Sequence, residues 1–437
     1  MAESTDMSAR PLAASRIDSP YAWGRLVFSL IIGTVGGVGL WSAVVVLPTT
    51  QELFEVDRGL ASLPYTVTMV GIMAGNVIMG RLVDRLGVAV PVLISAFSLG
   101  LGYVGIALAP NFWVMLFAQG LLVGAFGTST TFGPMIAAIS LWFKRYRGIA
   151  VALVACGSYT AGTVWPPLVH GMIDVLGWRD THLVIGTSCV LVMVPLAFTL
   201  RGSPPVDAVD SGHSSDGDSS PKSLPMSHNA LQCLLVFAGI ACCVAMSMPQ
   251  VHIVAFCVDL DLGAERGSTA LSLMLGLGVI SRIVFGFVMD RIGAVPTLFI
   301  GSTLQAISLL LYLPVEGVWT LYVVSALFGL FQGGIVPAYA VIIRDSFPAT
   351  QAGVRVGLVL SATMAGMAAG GWMSGMIYDW TLSYDMAFLN GFTWNLLNMA
   401  IVVLLLLRGR VPRHEVSRPR IMQATIPIVG RWPGPLR

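Results

Sequence analysis

Ser268–Gly293 reads S-T-A-L-S-L-M-L-G-L-G-V-I-S-R-I-V-F-G-F-V-M-D-R-I-G, and between Ser268 and Asp290 its only charge is Arg282. Some twenty apolar residues in helical form, rising about 1.5 Å each, cross a hydrocarbon layer about 30 Å thick. Along such a helix Arg282 lies roughly 12 Å from Asp290 and about 21 Å from Ser268, deep in the layer. A guanidinium there costs on the order of 3 kcal/mol by insertion scales, and it cannot lose its proton to escape. The helix must therefore turn Arg282 toward protein or water, and a fixed cation in a wet cavity suits an anion. The alternative is an arginine neutralised by a neighbouring carboxylate or carbonyl, with a structural role alone. No Asp or Glu lies inside any expected span to be that partner.

The composition places this helix among many of its kind. Of 437 residues 56% are hydrophobic and only 11% charged, against about 25% charged in a soluble domain. The chain is expected to be a polytopic membrane protein, and its net charge of +2 says little about partners. Its first two dozen residues are polar and lack the apolar core of a cleaved signal, so the first apolar run is expected to stay as a span. The cysteines Cys156, Cys189, Cys233, Cys242, Cys243 and Cys257 fall in apolar stretches without metal-ligand spacing, and are expected to fill space rather than bind metal or form disulfides.

Windows of about 20 apolar residues give twelve spans near 25–48, 60–80, 88–108, 113–140, 148–170, 182–201, 229–256, 268–289, 295–313, 318–343, 354–377 and 387–407. The fourth and seventh are long enough to tilt or break. With both ends on one side, twenty Lys and Arg share that side, while only Arg58, Arg179 and Arg266 face the other and Arg282 stays inside. By the positive-inside rule both termini are cytoplasmic, in an inner or plasma membrane. Residues 202–228, rich in Ser, Gly, Asp and Pro, read as a flexible cytoplasmic linker. The expected organisation is a cytoplasmic segment 1–24, a six-helix half 25–201, the linker 202–228, a second half 229–407 and a basic tail 408–437.

The two halves echo one another. Gly80-Arg81-Leu82-Val83-Asp84-Arg85-Leu86-Gly87 ends the second span, and Gly286-Phe287-Val288-Met289-Asp290-Arg291-Ile292-Gly293 ends the eighth, 206 positions on. Gly133-Pro134 has a counterpart near Pro337, and Gly171-Met172-Ile173 recurs as Gly375-Met376-Ile377. Similar offsets in the same order indicate a duplicated six-span unit, a frequent plan of secondary transporters with the site between the repeats.

The G-x-x-x-D-R-x-G stretch between the second and third spans resembles the signature of the major facilitator superfamily. The resemblance implies an all-α fold of twelve transmembrane helices in two pseudo-symmetric halves. It also implies that Gly80, Asp84 and Arg85, with Gly286, Asp290 and Arg291 in the second copy, form a conformational gating motif that stabilises one access state. The first glycine would permit close helix packing, and Asp84 could face a helix N-terminus.

A narrower likeness follows. Trp142-Phe143-Lys144-Arg145-Tyr146-Arg147-Gly148, then Gly157-Ser158, Pro166-Pro167 and Gly177-Trp178-Arg179, resemble the monocarboxylate transporter and oxalate:formate antiporter branch. Val251-His252-Ile253 resembles the histidine-bearing seventh span of bacterial members, and Ser281-Arg282 with Phe285-Gly286 resembles the eighth-span arginine associated with the substrate carboxylate. Phe347-Pro348, Gly370-Gly371, Asp379 and Tyr384 continue the likeness. Two departures stand out. Gly278 occupies the place, one turn before Arg282, of an aspartate linked to proton coupling in animal carriers. The eleventh span lacks the mid-membrane lysine of an oxalate carrier. One interior cation favours a monoanion over a dicarboxylate.

His252 is the candidate proton-coupling group, since an imidazole exchanges protons near neutrality and the seventh and eighth helices adjoin in this fold. The alternative is a histidine bonded to a carbonyl at the outer mouth. Gln250 follows Pro249, where a broken helix would expose polar groups. With Tyr159 and Tyr339 it completes the expected substrate-binding set of Arg282, His252, Tyr159, Tyr339 and Gln250; Asn76, Gln119, Gln332 and Trp372 are further residues able to line a passage. The expected cavity is amphipathic and holds a short carbon chain beside a carboxylate.

The expected function is secondary transport of a small organic monocarboxylate by alternating access, coupled to protons or by anion exchange, by symport or antiport. The alternative is a facilitator permease or exporter for a neutral solute or drug. No metal-ligand cluster, nucleotide-binding glycine loop or nucleophile–base pair appears, so the expectation is no enzyme, no catalytic residue, no metal, no cofactor and no nucleotide or nucleic-acid partner.

Overall fold

The computed structural model describes residues 17–202 and 226–409. The expected linker and tail therefore lie almost wholly outside the described residues, as does most of the N-terminal segment. Eleven helical runs among the described residues are long and apolar enough to cross a membrane. One of them, Arg147–Thr199, has 53 residues, about 80 Å of helix and far more than one crossing needs. It turns at Gly177, whose φ of 76° and ψ of 177° suit a residue without a Cβ. The run is thus two antiparallel crossings, and the count among the described residues is twelve.

In chain order these are α1 (Pro20–Val45), α2 (Arg58–Leu86), α3 (Ala89–Ala107), α4 (Phe112–Ser140), α5 (147–176), α6 (178–199), α7 (His228–Asp259), α8 (Ala264–Ile292), α9 (Ala294–Leu311), α10 (Val318–Ser346), α11 (Gln351–Thr381) and α12 (Asp385–Arg408). Large apolar side chains such as Trp319, Val175 and Val354 stay more than four-fifths exposed; in hydrocarbon that face needs no cover. Burial varies from helix to helix, reaching 72% in the most apolar window of α7 against 33% in that of α8.

The duplicated motif is a duplicated shape. Gly87 closes α2 at φ 74°, ψ 170° and Gly293 closes α8 at φ 90°, ψ 165°, so the same sharp exit recurs at the same register. The fourth helix of each six is also interrupted. In α4 a π-helical stretch, Ala118–Gly127, passes into a 3₁₀ turn, Thr128–Thr131, before the helix restarts at Gly133. In α10 the helix stops at Gln332 and resumes at Ile335. By contrast α7 runs through Pro249 unbroken, which corrects the expected break beside Gln250.

Candidate functional site

Between the first six helices and the last six lies a cavity of about 150 Å³. Its wall draws on α1 (Trp41), α2 (Met69, Ile72), α4 (Thr128, Thr131, Phe132) and α5 (Ser158, Tyr159), and on α7 (Met246, Gln250), α8 (Leu275, Arg282), α10 (Val336) and α11 (Thr363, Met364, Met367). The interrupted stretch of α4 faces it, as expected of irregular backbone at membrane depth, which is tolerated where it lines a cavity. Four consecutive hydroxyl residues, Thr128-Ser129-Thr130-Thr131, inside an apolar run were the available signal for that break.

Arg282 belongs to this wall. Its guanidinium lies over the Tyr159 ring, 4.0 Å from the centroid, and Nη1 donates to the Ala155 carbonyl at 3.0 Å. Nε is buried and has no partner. No carboxylate pairs with Arg282 among the described residues; the arginine–carboxylate pair there is Arg58–Asp259. One carbonyl uses one of five N–H donors, so the carbonyl-bonded reading accounts for one edge of the group and leaves the Nε side unengaged.

The backbone around Arg282 explains its placement. A Cβ at Gly333 would stand 2.7 Å from Arg282 N, and one at Gly334 would collide with Phe285 Cβ. These two glycines let the interrupted α10 press directly on α8. Ser281 fastens the contact, donating to Leu330 O at 2.6 Å and accepting from Gly333 N at 3.1 Å. A Cβ at Gly278 would meet Tyr159 Cε1 at 2.5 Å. The aromatic ring thus occupies the space that an acidic side chain one turn before Arg282 would take.

The other expected site residues divide. Tyr159 and Gln250 line the cavity, and Gln250 Nε2 donates to Gln332 Oε1 at 2.6 Å. Tyr339 does not reach it; fully buried, its hydroxyl donates to Asn398 Oδ1 at 2.7 Å, within a polar cluster joining α10, α12 and Ser302 of α9. His252 does not reach it either. Its Nε2 contacts Gly371 O at 2.7 Å and its Nδ1 the Tyr384 hydroxyl at 2.9 Å, so the imidazole turns toward α11 and the residue preceding α12 rather than toward Arg282. Gln119 bonds Gly39 O and Thr68 within the first six helices, Asn76 Nδ2 contacts Met364 Sδ, and Trp372 is exposed.

His252 instead completes a cluster that composition and spacing did not point to. Arg58 donates from Nη1 and Nη2 to the two Asp259 oxygens, 3.0 Å each, and from Nη1 to the Tyr384 hydroxyl at 2.8 Å. Its Nε donates to Gln51 at 2.7 Å, and its guanidinium lies 4.3 Å from the Tyr378 ring centroid. Asp379 accepts from the backbone N–H groups of Arg58 and Gly59 at 2.8 and 2.7 Å. The helices cross closely here, since a Cβ at Gly375 would meet Gly59 Cα at 2.8 Å. These bonds clamp the two sets of helices at the end opposite the gating motif. Arg58 was visible in sequence only as one of three cations on a side poor in them.

The gating-motif end is different. Asp84, Arg85, Asp290 and Arg291 are exposed, and no hydrogen bond or ion pair engages their side chains among the described residues. A Cβ on Gly80 or Gly286 would meet nothing within 4 Å. The close packing expected of these two glycines is not made here.

Comparison with known proteins places this geometry. The family described as the Major Facilitator Superfamily matches residues 29–293 and 255–432. The MFS-type transporter opdF of Penicillium oxalicum is 26% identical over 294 residues, 66% of this chain and 66% of that protein's own length. Monocarboxylate transporter 13 of Rattus norvegicus is 23% identical over 381 residues, 84% of this chain and 85% of its own. Among solved structures, a mutant of the peptide transporter POT in complex with sulfate superposes with a TM-score of 0.70 at 14% identity, over 93% of this chain and 99% of that one.

Proposed function

The chain belongs to the Major Facilitator Superfamily, a family of transporters rather than enzymes, and from that premise we propose that it carries a small organic monocarboxylate by alternating access. The observation that carries this reading is Arg282: a permanent cation at the cavity wall, without a carboxylate partner among the described residues and with Nε unpaired. A carboxylate reaching the guanidinium from the cavity gains charge-assisted hydrogen bonds, and the Tyr159 ring beneath holds the guanidinium flat by cation–π attraction. The similarity to monocarboxylate transporter 13 supports the same solute class.

The proposed cycle begins with the cavity reached from the gating-motif end, which the positive-inside rule makes cytoplasmic. Bound anion neutralises Arg282. The two sets of helices then close over it at that end, where Gly80, Asp84, Gly286 and Asp290 come into contact, and the Arg58 clamp opens. An empty cavity leaves an uncompensated guanidinium in a closing apolar wall, which disfavours occlusion and ties movement to ligand. His252 is proposed to act on the clamp rather than on the solute, through Tyr384.

Proteoliposome transport of small radiolabelled carboxylates tests the reading. Arg282→Ala should abolish flux while the protein still inserts, and Arg282→Lys, which keeps the charge but loses the planar fork, should retain only a fraction. Undiminished flux in Arg282→Ala, or equal competition by neutral amide analogues, would remove it and favour a neutral solute.

A further inference from the structure

Resting on the monocarboxylate reading, the shape and lining of the cavity name the rest of the solute. We propose that the cavity selects an acid whose carboxylate is attached to a single aromatic ring, directly or through one carbon.

The wall away from Arg282 carries Met69, Met246, Met364, Met367, Trp41 and Phe132. These side chains come from α1, α2, α4, α7 and α11, so the apolar surface surrounds the space instead of lining one side. Methionine is flexible and polarizable, adapts to irregular shapes, and makes favourable sulfur contacts with aromatic edges. Most of the wall is apolar, the hydroxyls of Thr131 and Thr363 already donate to backbone carbonyls, and the Gln250 amide is bonded to Gln332. A sugar or a polyhydroxy acid would leave most of its hydroxyl groups desolvated without partners, which disfavours its binding.

Volume decides between a short chain and a ring. The cavity measures about 150 Å³, close to the roughly 150 Å³ of an engineered apolar cavity that binds benzene. A two- or three-carbon acid would leave methionine surface facing empty space and forfeit the contacts that hold it. One ring with its carboxylate matches that volume, and a fused pair would reach past the methionine side chains that line it. A second carboxylate would find no second cation, as Arg282 is the one charged residue on the wall among the described residues.

The experiment is thermal stabilisation of the purified full-length protein by a graded panel, followed by competition with radiolabelled benzoate in proteoliposomes. Benzoate and phenylacetate should act at concentrations at least tenfold lower than acetate or pyruvate, and lower than 2-naphthoate or terephthalate. Acetate or pyruvate acting as well as benzoate would overturn the ring assignment and leave the monocarboxylate reading intact. Benzyl alcohol acting as well as benzoate would overturn the monocarboxylate reading itself. Met367→Trp, which fills the space, should raise the benzoate-to-acetate concentration ratio at least tenfold. Met364→Ala, which enlarges it, should shift preference toward 2-naphthoate; ratios unmoved in both variants would place the solute elsewhere and overturn the proposal.

Discussion

Arg58 and Asp259, 201 residues apart, meet through two parallel N–H···O contacts of 3.0 Å. One belongs to the start of α2 and the other to the end of α7, so the pair joins the first six helices to the last six. Two-pronged arginine–carboxylate pairs are among the stronger polar contacts, and this one has an Arg58 side chain only 8% exposed. Removing one partner of such a pair costs on the order of 3 kcal/mol. Arg58→Ala should therefore shift the population toward opening of the clamped end by about a hundredfold, at about 1.4 kcal/mol per tenfold. Spin labels at Leu53→Cys and Glu265→Cys, exposed positions on the two sides of that end, would report the change as a longer distance. An unaltered distance distribution would mean that the clamp does not set the resting state.

His252 should make the clamp responsive to pH. The Tyr384 hydroxyl accepts from Arg58 Nη1 and meets His252 Nδ1 at 2.9 Å, while Nε2 faces the Gly371 carbonyl. The arrangement that satisfies every group has Nε2–H donating to Gly371 O and the hydroxyl donating to Nδ1. A second proton on the ring would set Nδ1–H against O–H and add a positive charge beside Arg58. Acidification is therefore expected to loosen the clamp, and rising pH to restore it. His252→Gln should flatten the pH dependence of the label distance without abolishing binding of carboxylate at Arg282. A pH profile identical to that of the unmodified chain would assign the proton to another group.

Gly278 offers a test of how Arg282 keeps its charge available. Because a side chain there would collide with the Tyr159 ring, Gly278→Asp should displace the ring and place a carboxylate within reach of Arg282 one turn along the helix. An internal partner would then compete with the solute. Carboxylate binding is predicted to weaken by tenfold or more, with a compensating gain in thermal stability of the empty protein. Tyr159→Phe, which keeps the ring face, should bind nearly as well as the unmodified protein, and Tyr159→Ala should not. Calorimetric titration separates the three.

What could be read from the chain alone follows from how local each signal is. Arg282 announces itself because one charge in an apolar run of some twenty residues is an anomaly along a single segment. The paired turns at Gly87 and Gly293 were legible for the same reason, each being a glycine at the end of a copied motif. The Arg58 cluster was not. Its partners Asp259, Asp379 and Tyr384 lie 201 to 326 positions away; the two carboxylates look like ordinary charges at a membrane surface, and the tyrosine like an ordinary interfacial aromatic. His252 was flagged for its chemistry and given the wrong neighbour, since adjacency of α7 and α8 does not specify which face of α7 turns inward. Tyr339 failed likewise, its hydroxyl finding Asn398 on a helix that no local pattern couples to α10.

Asp18 gives the last prediction, at the end of the molecule that carries the gating motif. Its carboxylate accepts from the backbone N–H groups of Lys144, Arg145 and Tyr146 at 3.0–3.4 Å, and its own N–H donates to Trp142 O at 3.1 Å. It thus organises the turn between α4 and α5 just ahead of α5, where a negative charge near a helix N-terminus is favourable. Arg25 reinforces the same corner, donating to Leu200 O at 2.9 Å with its guanidinium 4.2 Å from the Trp142 ring centroid. Asp18→Ala leaves three donors to water and should weaken the turn by about 1.5 kcal/mol, the low end of the range for hydrogen bonds to a charged group. Local opening would then rise about tenfold, and cleavage by trypsin after Lys144 and Arg145 in detergent should quicken in proportion, because proteolysis follows the open population when reclosing is fast. Asp18→Asn, which keeps an acceptor but not the charge, should fall between. Equal cleavage rates in all three proteins would show that the turn is held by α4 and α5 themselves and owes nothing to Asp18.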